Sequence, residues 1–509
     1  MNQAVLESTA TTPEIARSGS ARPGGALGIC RGFLGAYSRR LVAISALALI
    51  PCFWHREIEA TDLGSHLYNA WLVQLIERGE THGLWIEHRS NNILFDYLLS
   101  GLGTLVSLRI AEKIAVSIVV LIFFWGAFAF LSAATRRASW YLLPAIAMVA
   151  YGWTFELGFF NYYLALGLSF WALAVCWRGE RRERLIALAL VPLIVLAHPL
   201  GLFWLLGAAA YIAAAERIRP RYHALLFVAG VCALVGMHEY LWHHYVVEAR
   251  ELPFSYFNGA DQFLLFSPRY QITEYAFLLL AGLSLVLDRL RARREGDSHP
   301  TYLVPLELYL LICAATVLLP RGARVPGHIG AVALLTDRLT TVSAILLCCL
   351  IAAARPRKWH FIAFAALAGV FFGFLYQDTG KISRMEDRVA RLVRTLPPNQ
   401  RVMGTILAPI ESRIPIQHIL DRACIGYCFS YGNYEPGSRM FRVRALPGNP
   451  YVLSDYSLAV QMEDGYYTVD PSDLPVYQVY QCGEGGRDFC VHALEAGEEN
   501  DDLGVHPDQ

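Results

Sequence analysis

Long apolar runs alternate with short basic clusters along most of this chain. A bilayer-crossing helix needs about 20 mainly apolar residues, and short cytoplasmic loops collect Lys and Arg. The basic clusters are Arg39-Arg40, Arg136-Arg137, "RGERRER" (178–184), "ERIRPRYH" (216–223), "DRLRARRE" (288–295) and "RPRK" (355–358). Consecutive clusters on one side of a membrane require an even number of crossings between them. Segments 41–54, 111–134, 140–155, 161–177, 185–198, 199–215, 224–242, 273–290, 301–319, 338–354 and 359–377 satisfy that count. "ILFDYLLSGLGTLVSL" (93–108) is apolar but short and carries Asp96, so it reads as a re-entrant or interfacial helix on the outer face.

After Gln377 the pattern changes. "EDRVARLVRTLPPNQRVMGTIL" predicts an amphipathic helix, a Pro-Pro turn and a strand, and the alternation in "MFRVRAL" and "VYQVYQC" predicts further strands. The fold class expected is a polytopic α-helical membrane protein of about eleven crossings with a small C-terminal α/β extracytoplasmic domain. Its parts are a flexible cytoplasmic tail (1–38), a transmembrane domain (39–377) whose first outer loop (54–92) is acidic, the α/β domain (378–495) and an acidic disordered tail (496–509).

Composition agrees. Of 509 residues 55% are hydrophobic and 17% charged, well to the apolar side of a soluble domain. The formal net charge of zero and the absence of a Gly-x-x-x-x-Gly-Lys motif argue against a nucleic-acid partner and a phosphate-cradling loop. Four cysteines, Cys424, Cys428, Cys482 and Cys490, fall in the exported part, which suits disulfides, with Cys482 and Cys490 placed to staple a hairpin; a zinc site is the competing reading.

The first outer loop concentrates the chemistry. "EIEATDLGSHLYNAWLVQLIERGE" (57–80) places Glu57, Glu59, Asp62 and His66 close together. A helix starting at Thr61 as N-cap puts Asp62, His66 and Asn69 on one stripe opposite Leu63, Leu67, Ala70 and Trp71, so that it lies along the membrane surface with its polar stripe toward a cavity. In the plainer reading Asp62 merely answers the helix dipole. Against it stands the gathering of other ionisable groups at the same boundary, among them Glu156, His198, His238, Glu239, His243, His244, Arg269, Arg321, Arg324, His328, Asp337 and Arg338. His198 before Pro199 reads as a helix cap, Asp337-Arg338 as an internal ion pair, and the basic run "PRGARVPGH" as an anion grip.

The plan of one crossing, an acidic first loop with a helix, a short apolar helix, many further helices and an exported C-terminal domain resembles the GT-C superfamily of integral-membrane glycosyltransferases, which includes protein mannosyltransferases and bacterial lipid-A sugar transferases. A single Asp62 here follows two spaced glutamates, and Asn91-Asn92-Ile93 stands where many members carry prolines. The resemblance implies inverting transfer of a sugar from a polyprenyl-phosphate donor to an acceptor hydroxyl on a glycan, lipid or protein, at the outer face of a bacterial inner membrane. It implies Asp62 as general base with Glu59 in reserve, His66 and Asn69 positioning the acceptor or, with Asp62, a divalent ion (Mg or Mn), and Arg321, Arg324 and Arg338 holding the donor phosphate. Aromatics at Trp153, Phe159, Phe160, Tyr162 and Tyr163 are candidates for lining the groove, or for an ordinary interfacial belt. Three rivals stand beside this reading: a flippase or other lipid transporter, a ligase or polymerase of lipid-linked glycans using the loop at 243–272, and a non-catalytic scaffold.

Overall fold

A computed structural model describes residues 38–177, 181–249, 257–295, 303–324, 326, 331–355, 357–406, 412–483 and 488–500. Most of the stretch expected as an N-terminal tail (1–38), Arg250 and His328 lie outside the described residues. The fold is mostly helical. Five helices among the described residues are long and apolar enough to cross a membrane: Leu108–Thr135, Pro220–His244, Pro268–Glu295, Leu335–Ala353 and Trp359–Val393. Three shorter apolar helices accompany them, Phe160–Cys176, Pro199–Ala215 and Leu303–Leu318. Segment 140–155 is not one helix but two, Leu143–Ala150 and Trp153–Glu156, interrupted at Tyr151-Gly152. Hydropathy reads such a run as continuous because the break is made by backbone packing: a Cβ on Gly152 would meet the Gln262 carbonyl at 2.9 Å.

The helices that frame the site are α1 (Thr61–Glu77), α2 (Leu94–Gly103), α3 (Leu108–Thr135), α4 (Phe160–Cys176), α5 (Pro199–Ala215), α6 (Leu335–Ala353), α7 (Lys358–Val393) and α8 (Ile419–Cys424). With 10 residues, α2 is about 15 Å long, too short to cross a bilayer. Helix α7, with 36 residues and a length of about 54 Å, merges the last apolar segment and the amphipathic helix that the sequence divides at Gln377. Its far end inserts Val389 and Val393 into the core of the C-terminal region, tying that region to the apolar helices through one continuous element.

Among the described residues nine strands form three small sheets: β1 (Leu84–Ile86), β2 (Val246–Glu248), β3 (Gly322–Arg324), β4 (Ala331–Val332), β5 (Arg401–Thr405), β6 (Phe429–Ser430), β7 (Val443–Ala445), β8 (Val476–Cys482) and β9 (Asp488–Ala493). The largest runs β6-β5-β8-β9, with β5 parallel to both neighbours and β8 antiparallel to β9. Cys482 is bonded to Cys490 across the β8–β9 hairpin, and Cys424 at the end of α8 to Cys428. In the two-stranded sheet β1 from the first loop pairs antiparallel with β7, Trp85 opposite Arg444, so loop 54–92 is built into the C-terminal region.

That union corrects the expected setting of α1. It is not a surface helix with an open polar stripe, since its residues are buried on most sides. Tyr68, Leu72, Val73 and Leu75 enter one apolar core with Val402, Val443 and Val479, while Leu63, Leu67 and Ala70 enter the core of the apolar helices. Nor is Thr61 the N-cap: Ala60 takes that place, and the Thr61 hydroxyl donates to the Pro415 carbonyl at 2.6 Å. The acidic tail also differs. Residues 496–500 belong to the fold, with Asn500 fully buried, accepting from Tyr467 N and donating to the Met462 carbonyl, each at 2.7 Å.

Candidate active site

The N-terminal turn of α1 carries Asp62, whose backbone N–H donates to the Leu157 carbonyl at 3.1 Å. The contact is possible because Gly158 has φ +79° and no side chain; a Cβ there would lie 2.7 Å from Asp62 N. Asp62 retains 27% side-chain exposure amid groups that are nearly closed off.

Two carboxylate–histidine pairs flank it. One turn along α1, His66 donates from Nδ1 to Asp96 Oδ1 at 2.7 Å. Asp96 Oδ2 accepts from Asn161 Nδ2 at 2.8 Å, and Asn161 Oδ1 accepts the Phe95 N–H at 2.8 Å, so α4 locks the start of α2 in place. From the C-terminal region, His418 donates from Nδ1 to Asp421 Oδ2 at 2.8 Å and turns Nε2 toward Asp62 Oδ1, 3.8 Å away. Asp421 is held in turn by the Ser430 hydroxyl.

Burial alone would push both imidazoles toward neutrality. The charge and hydrogen bond of Asp96 for His66, and of Asp421 for His418, overcome it and raise each to about 9. Both rings are therefore cationic at neutral pH. Asp62 is raised above its ordinary value by burial, which the charges of His418, His66 and Arg338 oppose. Beside them Glu435, holding the Ser65 hydroxyl at 3.0 Å, is pushed by burial to about 8, so it is mostly protonated at pH 7.

Arg338, in the first turn of α6, completes the charge set. Its guanidinium lies 4.0 Å above the Phe159 ring and its Nη1 3.1 Å from His198 Nε2, while its Nε has no hydrogen-bond partner among the described residues. His198 caps α5 by accepting the Leu200 N–H at 3.1 Å. Asp337 does not pair with Arg338; it faces Arg321 Nε at 3.5 Å.

The remaining sequence candidates fall elsewhere. Arg321 and Arg324 lie on or beside β3, where Arg321 is engaged by Glu248 and Asp337 and Arg324 is exposed. Asn69 is buried and exchanges amide hydrogen bonds with Asn433, so it joins α1 to the C-terminal region and is not open to a ligand. Glu59 is 7% exposed and belongs to a separate knot around Arg422. There Arg422 meets Glu112 at 3.3 Å, Glu386 at 3.5 Å and Glu57 at 3.9 Å and donates to the Ile58 carbonyl at 2.9 Å. Burial and the neighbouring Glu386 raise Glu59 well above its ordinary value, which makes it a poor base. Trp153, Phe160, Tyr162 and Tyr163 are core residues; of the aromatic group, Phe159 and Tyr162 border Arg338. His238 stacks on Trp242, and His243 with Glu239 is exposed.

Among the described residues no three His, Cys, Asp or Glu side chains come together as a metal site. Both oxygens of Asp96 and both of Asp421 are already bonded within the protein, which leaves Asp62 without the further carboxylate oxygens that Mg or Mn requires, so the residues do not fit the divalent ion that the resemblance allows. His418, Asp421 and Glu435 were not singled out in the sequence. The i, i+3 pair in "HILD" was a faint signal; Glu435 in "NYEPGS" offered none. Comparison with family models, with curated proteins and with solved structures finds no match for the chain.

Proposed function

We propose that this protein is a GT-C-type membrane glycosyltransferase, moving a sugar from a polyprenyl-phosphate donor to an acceptor hydroxyl on the extracytoplasmic face of a bacterial inner membrane, with inversion. The observation that carries the reading is Asp62 itself, a partly open carboxylate among cationic groups at the junction of the apolar helices with a disulfide-bonded region. Disulfides persist in oxidising compartments, which supports placing that region outside the cytoplasm.

The chemistry follows from the charges. Asp62 takes the proton of the acceptor hydroxyl as its oxygen bonds to the anomeric carbon, and the bond from that carbon to the phosphate oxygen breaks with its electron pair. The departing lipid phosphate gains negative charge, for which Arg338, with an uncommitted Nε, is the best-placed cation. The charges of His418 and His66 favour the ionised form of Asp62 and oppose the effect of burial. The phosphate role expected of Arg321 and Arg324 passes to Arg338, and no step runs through a metal ion.

The test is transfer by the purified protein from a panel of polyprenyl-phosphate sugars, with the anomeric configuration of the product read by NMR. Inverted product from at least one donor supports the reading. Retention, or no transfer from any donor, contradicts it.

A further inference from the structure

A second concave site lies at the other end of α1. It is a groove of about 750 Å³ between the last turns of α1 and the β5–β6 edge of the C-terminal sheet, within the size range of small-ligand sites. Trp71 is nine positions beyond Asp62, about 13 Å along the helix and half a turn around it. The groove is therefore distinct from the Asp62 site and does not extend it.

Its floor is aromatic. Trp71 lies 5.7 Å from Phe429, at a shallow 31° between ring planes, and Phe429 lies 4.6 Å from Tyr451. The charged heads on its walls are bonded within the protein: Arg78 to Glu80 at 2.7 Å, and Arg401 to the carbonyls of Ser472 and Asp473 at 3.1 and 2.9 Å. Asn399 and Gln400 also line it, and their side-chain amides have no protein partner among the described residues, so each has a donor and an acceptor to offer. Flat apolar rings beside free amides, with Arg78 paired to Glu80 and Arg401 bonded to protein carbonyls and stacked over Tyr431, suit a ligand that has an apolar face, carries hydroxyls on its rim and needs no charge of its own.

We propose that this groove binds a neutral oligosaccharide, a pyranose C–H face lying on Trp71 and hydroxyls meeting Asn399 and Gln400. The proposal does not rest on the transferase reading, because binding needs neither a donor nor Asp62.

The experiment is calorimetric titration of the full-length protein with neutral oligosaccharides of glucose, mannose, galactose and N-acetylglucosamine, and with an extended uncharged peptide as the competing class. A detergent without a sugar headgroup keeps the groove open to the probe. One oligosaccharide is expected to bind and the peptide not to. Trp71→Ala and Asn399→Gly should each weaken binding about tenfold, the scale of one lost stacking or polar contact. Because Asn399 has φ +61°, glycine removes the amide without backbone strain, so that variant reads binding even where Trp71→Ala disturbs the fold. Binding of the peptide alone, of no probe, or of a sugar with affinity unchanged in Asn399→Gly would overturn the proposal.

Discussion

His418 Nε2 lies 3.8 Å from Asp62 Oδ1, so the candidate base and its nearest cation come from opposite ends of the chain and meet only when the C-terminal region packs on the first loop. The site is therefore a property of the docked whole.

Removing that cation should move the acid limb of the pH–rate profile. Asp62 is held down by His418 against burial, so His418→Gln raises its pKa further and delays its ionisation as pH rises. The expected outcome is a loss in kcat/KM that is greatest on the acid limb of the profile and shrinks as pH rises past it. An equal loss across the whole profile would make His418 a packing residue only.

The His66–Asp96 pair should make stability fall on the alkaline side. His66 rises from an ordinary 6.5 to about 9 in the fold, so its contribution is fully present below pH 6.5 and disappears as pH passes 9. Thermal unfolding from pH 6 to 10 should show this loss, and His66→Gln should remove the His66 share of it, leaving the share of His418, which is raised to the same value.

Arg422 neutralises a buried group of glutamates. Arg422→Met leaves Glu59, Glu112 and Glu386 without their counter-charge, at a cost of about 3–5 kcal/mol. The C-terminal region should then become sensitive to limited proteolysis at temperatures where wild type resists.

Gly64 tests the same junction by shape. A Cβ there would meet the His418 backbone carbonyl at 2.4 Å, so Gly64→Ala must push α8 away from α1. The expected cost is about 1–3 kcal/mol, with a matching drop in unfolding temperature and loss of the His418 effect on rate.

What could be read from the sequence was whatever is local. The apolar periods located most of the long helices, alternation found β7 and β8, and the density of Asp62 and His66 marked the first loop. The burial of α1 was not legible, because its lid is Val402, Val443 and Val479, far along the chain, and no local pattern announces such a partner. Asp96 was visible as a charge in an apolar helix, but its bond to His66 was not. The outer arginines misled for a related reason: charge at a boundary says nothing of pairing, and Arg321 is already engaged by Glu248 and Asp337.

The most direct test of the central claim is the initial rate of sugar transfer from the best polyprenyl-phosphate donor by wild type and Asp62→Asn at the same folded concentration. Asp62 as general base requires a fall of about 10²–10⁴-fold with unfolding temperature unchanged or raised, since burial already disfavours the carboxylate. Transfer at the wild-type rate by the folded variant would contradict the account and place the base outside the Asp62 site.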